Sequence, residues 1–483
     1  MIEVPAPPTA METPSLRAVW AMMIGFFVIV VDSTIVAVAN PVIKQDFDAT
    51  YAAVIWVTSA YLLVFAAFLL VGGRLGDRFG PKSMYLAGLG LFTIASLWCG
   101  LSESIGMLIG GRIAQGVGAA LLTPQTLSAI TRSFPPERRG VAMSVWGATA
   151  GVGMLVGPLA GGLLVDQLGW QWIFLANVPV GVAGLVLAVR LIPTLPGRPH
   201  RLDLFGVLLS GAGVCLIVLA LQEGRNHDWA PKTWAMISGG LVLLAAFVLW
   251  QAVQRTEPLI PLVLFRHRDF GLSNAGIALI SFAFVGFAVP LMFYLQEVRG
   301  LSAAYAGLVT APMAIATCVF APIVGRLVDR VQPRAIIGPG FAMLTLALGW
   351  LALEMNASAP IWRLAIPLTV IGVAGAFTWE PLAVTASRTL APELSGAGSA
   401  VYNTVRQVGA VFGSAGIAAL MAALVGAESA DTASDEMSQA MLLPAFAAAL
   451  GTIAALFFVG VQTAQSRPVT EHRPPRRNVS TAL

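Results

Sequence analysis

The sequence predicts an all-α polytopic membrane protein with fourteen transmembrane helices, arranged as two pseudo-symmetric six-helix bundles and a central helix pair, with both termini cytoplasmic. Of the 483 residues, 57% are hydrophobic and only 11% are charged, and the mean hydropathy is +0.81. A soluble domain carries about 25% charged residues, so the composition excludes a soluble fold. The apolar runs are continuous and about 20 residues long, which favours helices over the alternating ~10-residue strands of a β-barrel.

Fourteen apolar runs follow one another along the chain, and each is long enough to cross a bilayer. Proline and glycine inside several of them do not argue against helix, because transmembrane helices tolerate both. The predicted spans are 18–41, 54–73, 83–101, 107–131, 140–165, 172–193, 204–222, 233–253, 271–296, 303–327, 335–354, 361–387, 396–425 and 440–462.

The charges of the connecting segments predict the orientation, since Lys and Arg concentrate on the cytoplasmic side of a membrane. With the N-terminus inside, the predicted outer loops hold only five basic residues, whereas the other loop and tail cations fall on the inner side. The five are Lys44, Arg225, Lys232, Arg299 and Arg363. This asymmetry would be lost if a span had been missed or invented in mid-chain. It therefore supports the count of fourteen and places both termini inside.

Two segments of the chain repeat in equivalent inner loops. GRLGDRFGPK (73–82) follows the second span and GRLVDRVQPR (325–334) follows the tenth, while ITRSFPPERRG (130–140) matches ASRTLAPELSG (386–396). Parallel repeats related by an axis along the membrane normal are a transporter architecture. The sequence therefore predicts an N-terminal tail (1–17), a first bundle (18–193), two linking helices (204–253), a second bundle (271–462) and a C-terminal tail (463–483).

Several classes of chemistry lack their sequence signatures. No GxxxxGK[ST] motif is present, so ATP is not expected as the energy source, and no HExxH motif indicates a metal enzyme. The four histidines fall in loops or the tail, and a net charge of +4 is too modest to suggest nucleic-acid binding. Cys99, Cys215 and Cys318 all lie in apolar runs, which predicts free thiols and no disulfide framework.

Four ionisable residues fall inside predicted spans: Asp32, Arg112, Glu380 and Arg406. Charges at this depth are costly, usually face the protein interior and mark ion or substrate pathways. Two acids and two bases cancel formally, which suits pairing. Asp32 and Arg112 belong to the first half and Glu380 and Arg406 to the second, but the sequence leaves the actual partners open.

Four motifs together resemble the major facilitator superfamily, in particular its fourteen-helix drug–proton antiporter branch. VVDSTIVAVANP (30–41) resembles the first-helix motif of that branch, and GGRLGDRFGPK (72–82) resembles the family's loop motif between the second and third helices. LIGGRIAQGVGAA (108–120) resembles the fourth-helix motif built around Arg112. GVGMLVGPLAGGLL (151–164) resembles the fifth-helix motif associated with antiporters. The resemblance covers nearly the whole chain, from Ala18 to Gln462.

The resemblance implies a conformational role for the loop and fifth-helix motifs. The loop motif would place Asp77 just past a helix end, where charge-assisted contacts latch one state of the protein. In the fifth helix, glycines at four-residue spacing share one face and permit close helix packing. The residues concerned are Gly73, Asp77 and Arg78, their second-half counterparts Asp329 and Arg330, and Gly153, Gly157, Pro158 and Gly161.

Proton coupling requires an acid that changes its charge with its surroundings. Burial disfavours a carboxylate and a nearby arginine favours it, so an acid that changes partner can bind and release a proton. Asp32 is the first candidate, with Arg112 as the group that tunes it. Glu380 is the second, and because Pro124 stands at its equivalent in the first half, it suggests a separate task such as attracting a cationic substrate. Arg406 is expected to be a relay or structural residue.

The resemblance therefore implies a non-enzymatic, proton-coupled antiporter that exports amphipathic small molecules, cationic ones included, across a bacterial inner membrane. We expect its partners to be the substrate, protons and the lipid bilayer, with no cofactor beyond the proton as coupling ion, no nucleic acid and a monomeric state. A dedicated exporter of one metabolite, lipid or siderophore would share every motif. A non-transporting sensor on the same fold is the further alternative.

Overall fold

The computed structural model describes residues 16–133, 136–195, 203–224, 227–254, 258–328, 330–388, 390, 394–424 and 430–458, and within these ranges the protein folds into helices without strands. The helices are α1 Leu16–Asp46, α2 Tyr51–Phe79, α3 Pro81–Gly100, α4 Ile105–Ser133, α5 Pro136–Leu168, α6 Trp172–Leu175, α7 Asn177–Leu191, α8 Leu204–Glu223, α9 Pro231–Val253, α10 Arg268–Phe293, α11 Ala303–Val309, α12 Ala311–Val328, α13 Pro333–Glu354, α14 Trp362–Ala376, α15 Trp379–Arg388, α16 Ser395–Leu424, α17 Ala430–Ala440 and α18 Leu442–Ala455.

These helices form 14 segments long and apolar enough to cross a membrane, which confirms the predicted number. Four spans consist of two consecutive helices (α6–α7, α11–α12, α14–α15 and α17–α18), and α10 continues into a π-helical turn, Tyr294–Val298. Large apolar side chains face outward from many spans; Leu353, for example, is 82% exposed and Val253 is 73% exposed. Such a surface is stable only in lipid, so the protein is a multi-pass membrane protein.

The helices pack in two groups joined along a few lines of contact. In the first group α4 packs on α2 and α3, and α1 packs on α5 and α7; in the second, α10 packs on α16, α13 on α18 and α12 on α14. The groups meet chiefly where α2 packs on α16 and where α5 packs on α11 and α12. Helices α8 and α9 pack together, and α8 lies against α2 and α16.

The predicted loop after the second span is largely helical, which corrects the placement of Asp77 beyond a helix end. Helix α2 runs to Phe79, and only Gly80, with a φ of 88°, forms the turn before α3. The glycines of the motif serve packing instead: an added Cβ on Gly76 would overlap the side chain of Gln125 on α4. The helix continues because this stretch contains no proline and its small residues fit against α4.

The last span begins earlier than predicted. The predicted start near residue 440 follows the apolar run, but α17 already begins at Ala430 and has a polar sequence, ADTASDEMSQA. This helix is amphipathic: Met437 is fully buried and Ser438 donates a hydrogen bond to the Ala352 carbonyl of α13 at 2.8 Å. The prediction from apolar runs missed α17, because a helix that buries only one face does not form a continuous apolar run.

Candidate functional site

Asp32 and Arg112 form an ion pair in the interior of the first group of helices. Asp32 of α1 and Arg112 of α4 are both 0% exposed, and Arg112 Nη1 lies 2.5 Å from Asp32 Oδ2. The same guanidinium donates to the Gln115 side-chain oxygen at 2.8 Å and, through Nε, to the Val57 carbonyl at 3.0 Å. Two ions taken out of water are stable only when their remaining donors and acceptors are also satisfied. The pairing left open by the sequence is therefore present.

Two amides complete the coordination of the carboxylate. The Gln115 Nε2 of α4 and the Asn177 Nδ2 of α7 each donate to Asp32 Oδ1 at 3.3 Å. Sequence reasoning missed both residues. Gln115 lies one turn from Arg112 on the same helix face, and Asn177 is an isolated amide in an apolar run. Both residues could therefore have been identified from the sequence as candidate partners of the buried charges.

Aromatic rings surround the guanidinium. The Arg112 Cζ lies 4.2 Å from the ring centroid of Tyr61 on α2 and 5.7 Å from that of Phe174 on α6. Tyr61 and Phe174 are both 0% exposed. The pair therefore lies in a dry, apolar environment, where protonating the acid would leave a buried cation without its counter-ion. Charge state and packing at this site depend on each other.

The loop-motif charges lie at the predicted inner face. Asp77 is half-buried on the last turn of α2, and within the described residues it makes no hydrogen bond or ion pair. Arg78 is exposed and its Cζ lies 5.4 Å from the ring centroid of Phe79. In the second copy of the motif Arg330 is exposed, and Asp329 lies outside the described residues. The latch that the resemblance implies is thus not engaged through described residues of this conformation.

The fifth-helix glycines bring α5 against α1, as their spacing predicts. A Cβ on Gly153 would lie 2.8 Å from Val30 Cγ1, and a Cβ on Gly157 or Gly161 would overlap Thr34 or Ile35. On its other side α5 meets α11, where a Cβ on Gly307 would overlap the Pro158 carbonyl. Helix α5 is therefore held closely by both groups of helices.

The two groups are joined by polar contacts at the predicted outer face. Glu297, on the π-helical turn after α10, accepts from Lys44 Nζ of α1 at 3.0 Å and from the Tyr51 hydroxyl of α2. Gln296 Nε2 donates to the Val38 carbonyl at 2.8 Å. In the sequence these charges indicated only topology, since nothing local shows that helix ends 250 residues apart will meet.

An acid on α5 caps a helix of the second group at this face. The two oxygens of Asp166 accept hydrogen bonds from the backbone N–H groups of Ala303 and Ala304, at 2.9 Å and 3.0 Å. These N–H groups open α11 and have no acceptor within that helix. A carboxylate at a helix N-terminus is also favoured by the helix dipole.

Glu380 does not lie in mid-helix as predicted. The twelfth span breaks at Phe377–Thr378, and Glu380 falls in the first turn of α15. Pro381 has no N–H to continue the hydrogen-bond ladder, which explains why the span is interrupted here. The side chain of Glu380 is exposed and faces Gly325 of α12. Among the described residues it makes no ion pair with Arg406, so the two second-half charges do not pair there as Asp32 and Arg112 do.

The remaining candidate, Arg406, lies in the middle of α16 and is partly exposed. No group of three or more His, Cys, Asp or Glu side chains in the described part of the chain could hold a metal ion. Cys99, Cys215 and Cys318 are free thiols.

Fourteen spans around a hydrogen-bonded interior ion pair, with two helix groups closed at one face, define a polytopic protein of the transporter class. The chain belongs to the Major Facilitator Superfamily, whose family model matches residues 22–414 and, in a second match, 292–482.

Curated relatives extend over most of the chain. An uncharacterised MFS-type transporter of Mycobacterium tuberculosis is 54% identical over 466 residues, covering 92% of this chain and 80% of the relative. The tetracenomycin C resistance and export protein of Streptomyces glaucescens is 34% identical over 411 residues, covering 84% of this chain and 76% of the relative.

The fold also matches a solved structure. A bacterial homologue of the human lysosomal transporter Spinster, crystallised inward-facing and unoccupied, superposes with a TM-score of 0.63 at 17% identity. The match covers 93% of this chain and 98% of that structure.

Proposed function

We propose that this protein is a proton-coupled exporter of amphipathic small molecules in a bacterial inner membrane, working as an antiporter by alternating access. The observation that carries the proposal is the fully buried Asp32–Arg112 pair in a chain of this transporter family. Export is also the activity named for the Streptomyces glaucescens relative. The proton is the coupling ion, and we propose no other cofactor.

The geometry of the pair supports a proton-coupled change of conformation. Protonation of Asp32 removes the counter-ion of Arg112, and an unpaired buried charge of this kind costs several kcal/mol. The helices that hold the pair (α1, α2, α4 and α7) must then rearrange or hydrate the site. Each proton that enters down a membrane potential supplies about 2.3 kcal/mol per 100 mV, in addition to the pH gradient.

The contacts between the two helix groups support a rocking movement. The outer ends are closed by Glu297 and Asp166, while Asp77 on the inner face makes no ion pair within the described residues. The glycines let α5 pack closely on α1 of the first group and on α11 of the second. Helix α5 would therefore be the line of contact along which the two groups move. In this proposal Asp77 and Arg78 form charge-assisted contacts when the inner face closes, as do Asp329 and Arg330 of the second copy, while Gly73 lets α2 pack beside α4.

Replacing Glu297 by Gln is expected to shift the protein toward an outward-open state. The change removes the ion pair to Lys44 and weakens the Tyr51 contact, an effect of about 1 kcal/mol that corresponds to a roughly fivefold change in population. Spin labels at Asp48 and Ser358, in a chain without its three cysteines, would report a longer distance between the outer ends. Glu354→Gln is the matched control, since Glu354 pairs with Arg363 within the second group. An unchanged distance distribution would contradict this assignment of the closure.

Transport in proteoliposomes tests the proposed function. With the vesicle lumen made more acidic than the medium, outward proton flow should drive several structurally unrelated amphipathic dyes into the vesicles, and a proton ionophore should abolish this accumulation. Transport of one compound only would instead favour a dedicated exporter of a metabolite, lipid or siderophore. If neither flux nor substrate-induced proton release can be detected, the protein is a non-transporting sensor and the proposal fails.

A further inference from the structure

Arg406 lies on the side of α16 that faces the region between the two helix groups. Ser414 of the same helix contacts Ser59 of α2 across the groups, with their hydroxyl oxygens 2.7 Å apart. Gly409 and Gly413 approach the α10 backbone so closely that an added Cβ would overlap it. With about 100° between successive helical residues, Arg406 falls in the angle between these two contact lines. Its side chain therefore leaves α16 on the side between α2 and α10.

No acidic side chain neutralises Arg406 among the described residues. It takes part in none of the ion pairs there, and its Nε is buried without a hydrogen-bond partner. The titratable side chains that affect its charge are those of Tyr402 and Tyr61. A tyrosine hydroxyl is neutral near pH 7, so neither balances the charge.

Three acids of the described spans, two inside predicted spans and one at the outer end of α10, are engaged or lie elsewhere. Asp32 is bound by Arg112 and two amides, and Glu297 is bound by Lys44 and Tyr51. Glu380 is exposed beside Gly325. Arg406 therefore remains a cation at membrane depth whose charge is not matched by these acids.

An arginine at the middle of a span is costly, and such residues mark ion or substrate pathways. The planar guanidinium suits an oxyanion in particular, because its parallel N–H groups match two oxygens of a carboxylate. Tyr402, one turn earlier on the same face, has a buried hydroxyl without a hydrogen-bond partner and offers a second donor. The site thus presents donors and positive charge to a ligand.

We propose that Arg406, assisted by Tyr402, binds the anionic group of the transported molecule, so that the exporter accepts amphipathic organic anions of the carboxylate class. The inference rests on the proposed export function and specifies its substrate. The expected substrates, which included cationic compounds, are thereby narrowed to anionic ones. Tyr61 interacts with Arg406 and packs under Arg112, so a bound anion would be one side chain away from the proton-binding pair.

Three probes with the same apolar body test the proposal: 2-naphthoate, neutral 2-naphthamide and cationic 2-naphthylmethylamine, each tritiated. Equilibrium binding to the purified full-length protein is measured at one pH by scintillation proximity, without a proton gradient. The variants are Arg406→Gln and Arg406→Lys. Arg363→Gln is the matched control, because Arg363 lies in an exposed pair at the predicted outer face.

We expect the wild type and Arg363→Gln to bind naphthoate about tenfold more tightly than naphthamide, as for a hydrogen bond to a charged group. Arg406→Gln should bind the two equally, and Arg406→Lys should recover part of the preference. The proposal is overturned if wild-type naphthoate binding is absent or no tighter than that of the other probes, or if the preference survives in Arg406→Gln.

A stability measurement separates recognition from a structural role. An uncompensated cation does not stabilise the fold, so the melting temperature of Arg406→Gln should equal or exceed that of the wild type. Naphthoate should raise the melting temperatures of the wild type and of Arg363→Gln more than naphthamide does, whereas in Arg406→Gln the two probes should have equal effects. A large drop in Arg406→Gln without ligand would show a structural residue and contradict the proposal.

The failure of this inference is distinguishable from failure of the proposed function. Gradient-driven export of naphthamide without any preference for naphthoate would leave the exporter intact and remove the anion site. Preferential naphthoate binding without gradient-driven transport of any of the three probes would keep the anion site and remove proton-coupled export.

Discussion

Asp32→Asn is expected to abolish accumulation of substrate against its gradient while leaving downhill exchange in place. The amide cannot bind and release a proton, so the protein loses the link between its charge state and its conformation. The amide keeps the size of the side chain and its oxygen can still accept from Arg112, but Arg112 loses its counter-ion, so the variant should resemble the state that protonation of Asp32 produces. The effect should therefore be large on pH-driven transport and small on counterflow of the same dye.

The measurement compares both assays in the same proteoliposomes, with pH-driven uptake set beside counterflow in the absence of a gradient. Asp203→Asn is the control: Asp203 is also a buried acid, bound by Trp250 and Gln251, but it caps the linking helix α8. It should keep pH-driven uptake. Glu380→Gln tests the second candidate acid beside it. If Asp32→Asn and Glu380→Gln both keep full gradient-driven transport, the coupling assignment is wrong.

Arg112→Met is expected to cause a large loss of stability. It leaves the Asp32 carboxylate buried without its counter-ion and removes the hydrogen bonds to Gln115 and the Val57 carbonyl. Breaking a buried ion pair by removing one partner costs about 3–5 kcal/mol. By contrast, Arg363→Met, at a pair whose arginine is 47% exposed, should cost at most about 1 kcal/mol.

A double-mutant cycle identifies the cause of that loss. The free energy of unfolding in mixed detergent micelles is measured for Arg112→Met, Asp32→Leu and the double variant. Replacing both ions by apolar groups of similar volume is often close to neutral, so the double variant should recover most of the stability of the wild type while remaining unable to couple transport to protons. Additive losses would instead show that the two side chains stabilise the protein independently.

The spans could be predicted from sequence because the signal is local. Twenty apolar residues cross a bilayer whatever their neighbours are, and the 14 spans of the structure follow the predicted order. Helix ends were less predictable for the same reason. The polar helix α17 and the extension of α2 to Phe79 are stabilised by packing against other helices, which a run of hydropathy values does not contain.

The same distinction between local sequence signals and packing between distant helices applies to the candidate site. The chain by itself determined which ionisable residues lie at membrane depth, since a charge inside an apolar run is visible at once: Asp32, Arg112, Glu380 and Arg406. Only the tertiary structure decided their partners. Asp32 and Arg112 are 80 residues apart in the chain and bind through helices that pack side by side, whereas Glu380 and Arg406 lie closer in sequence and remain apart. Pairing depends on which faces of distant helices meet, and helical spacing alone does not specify this.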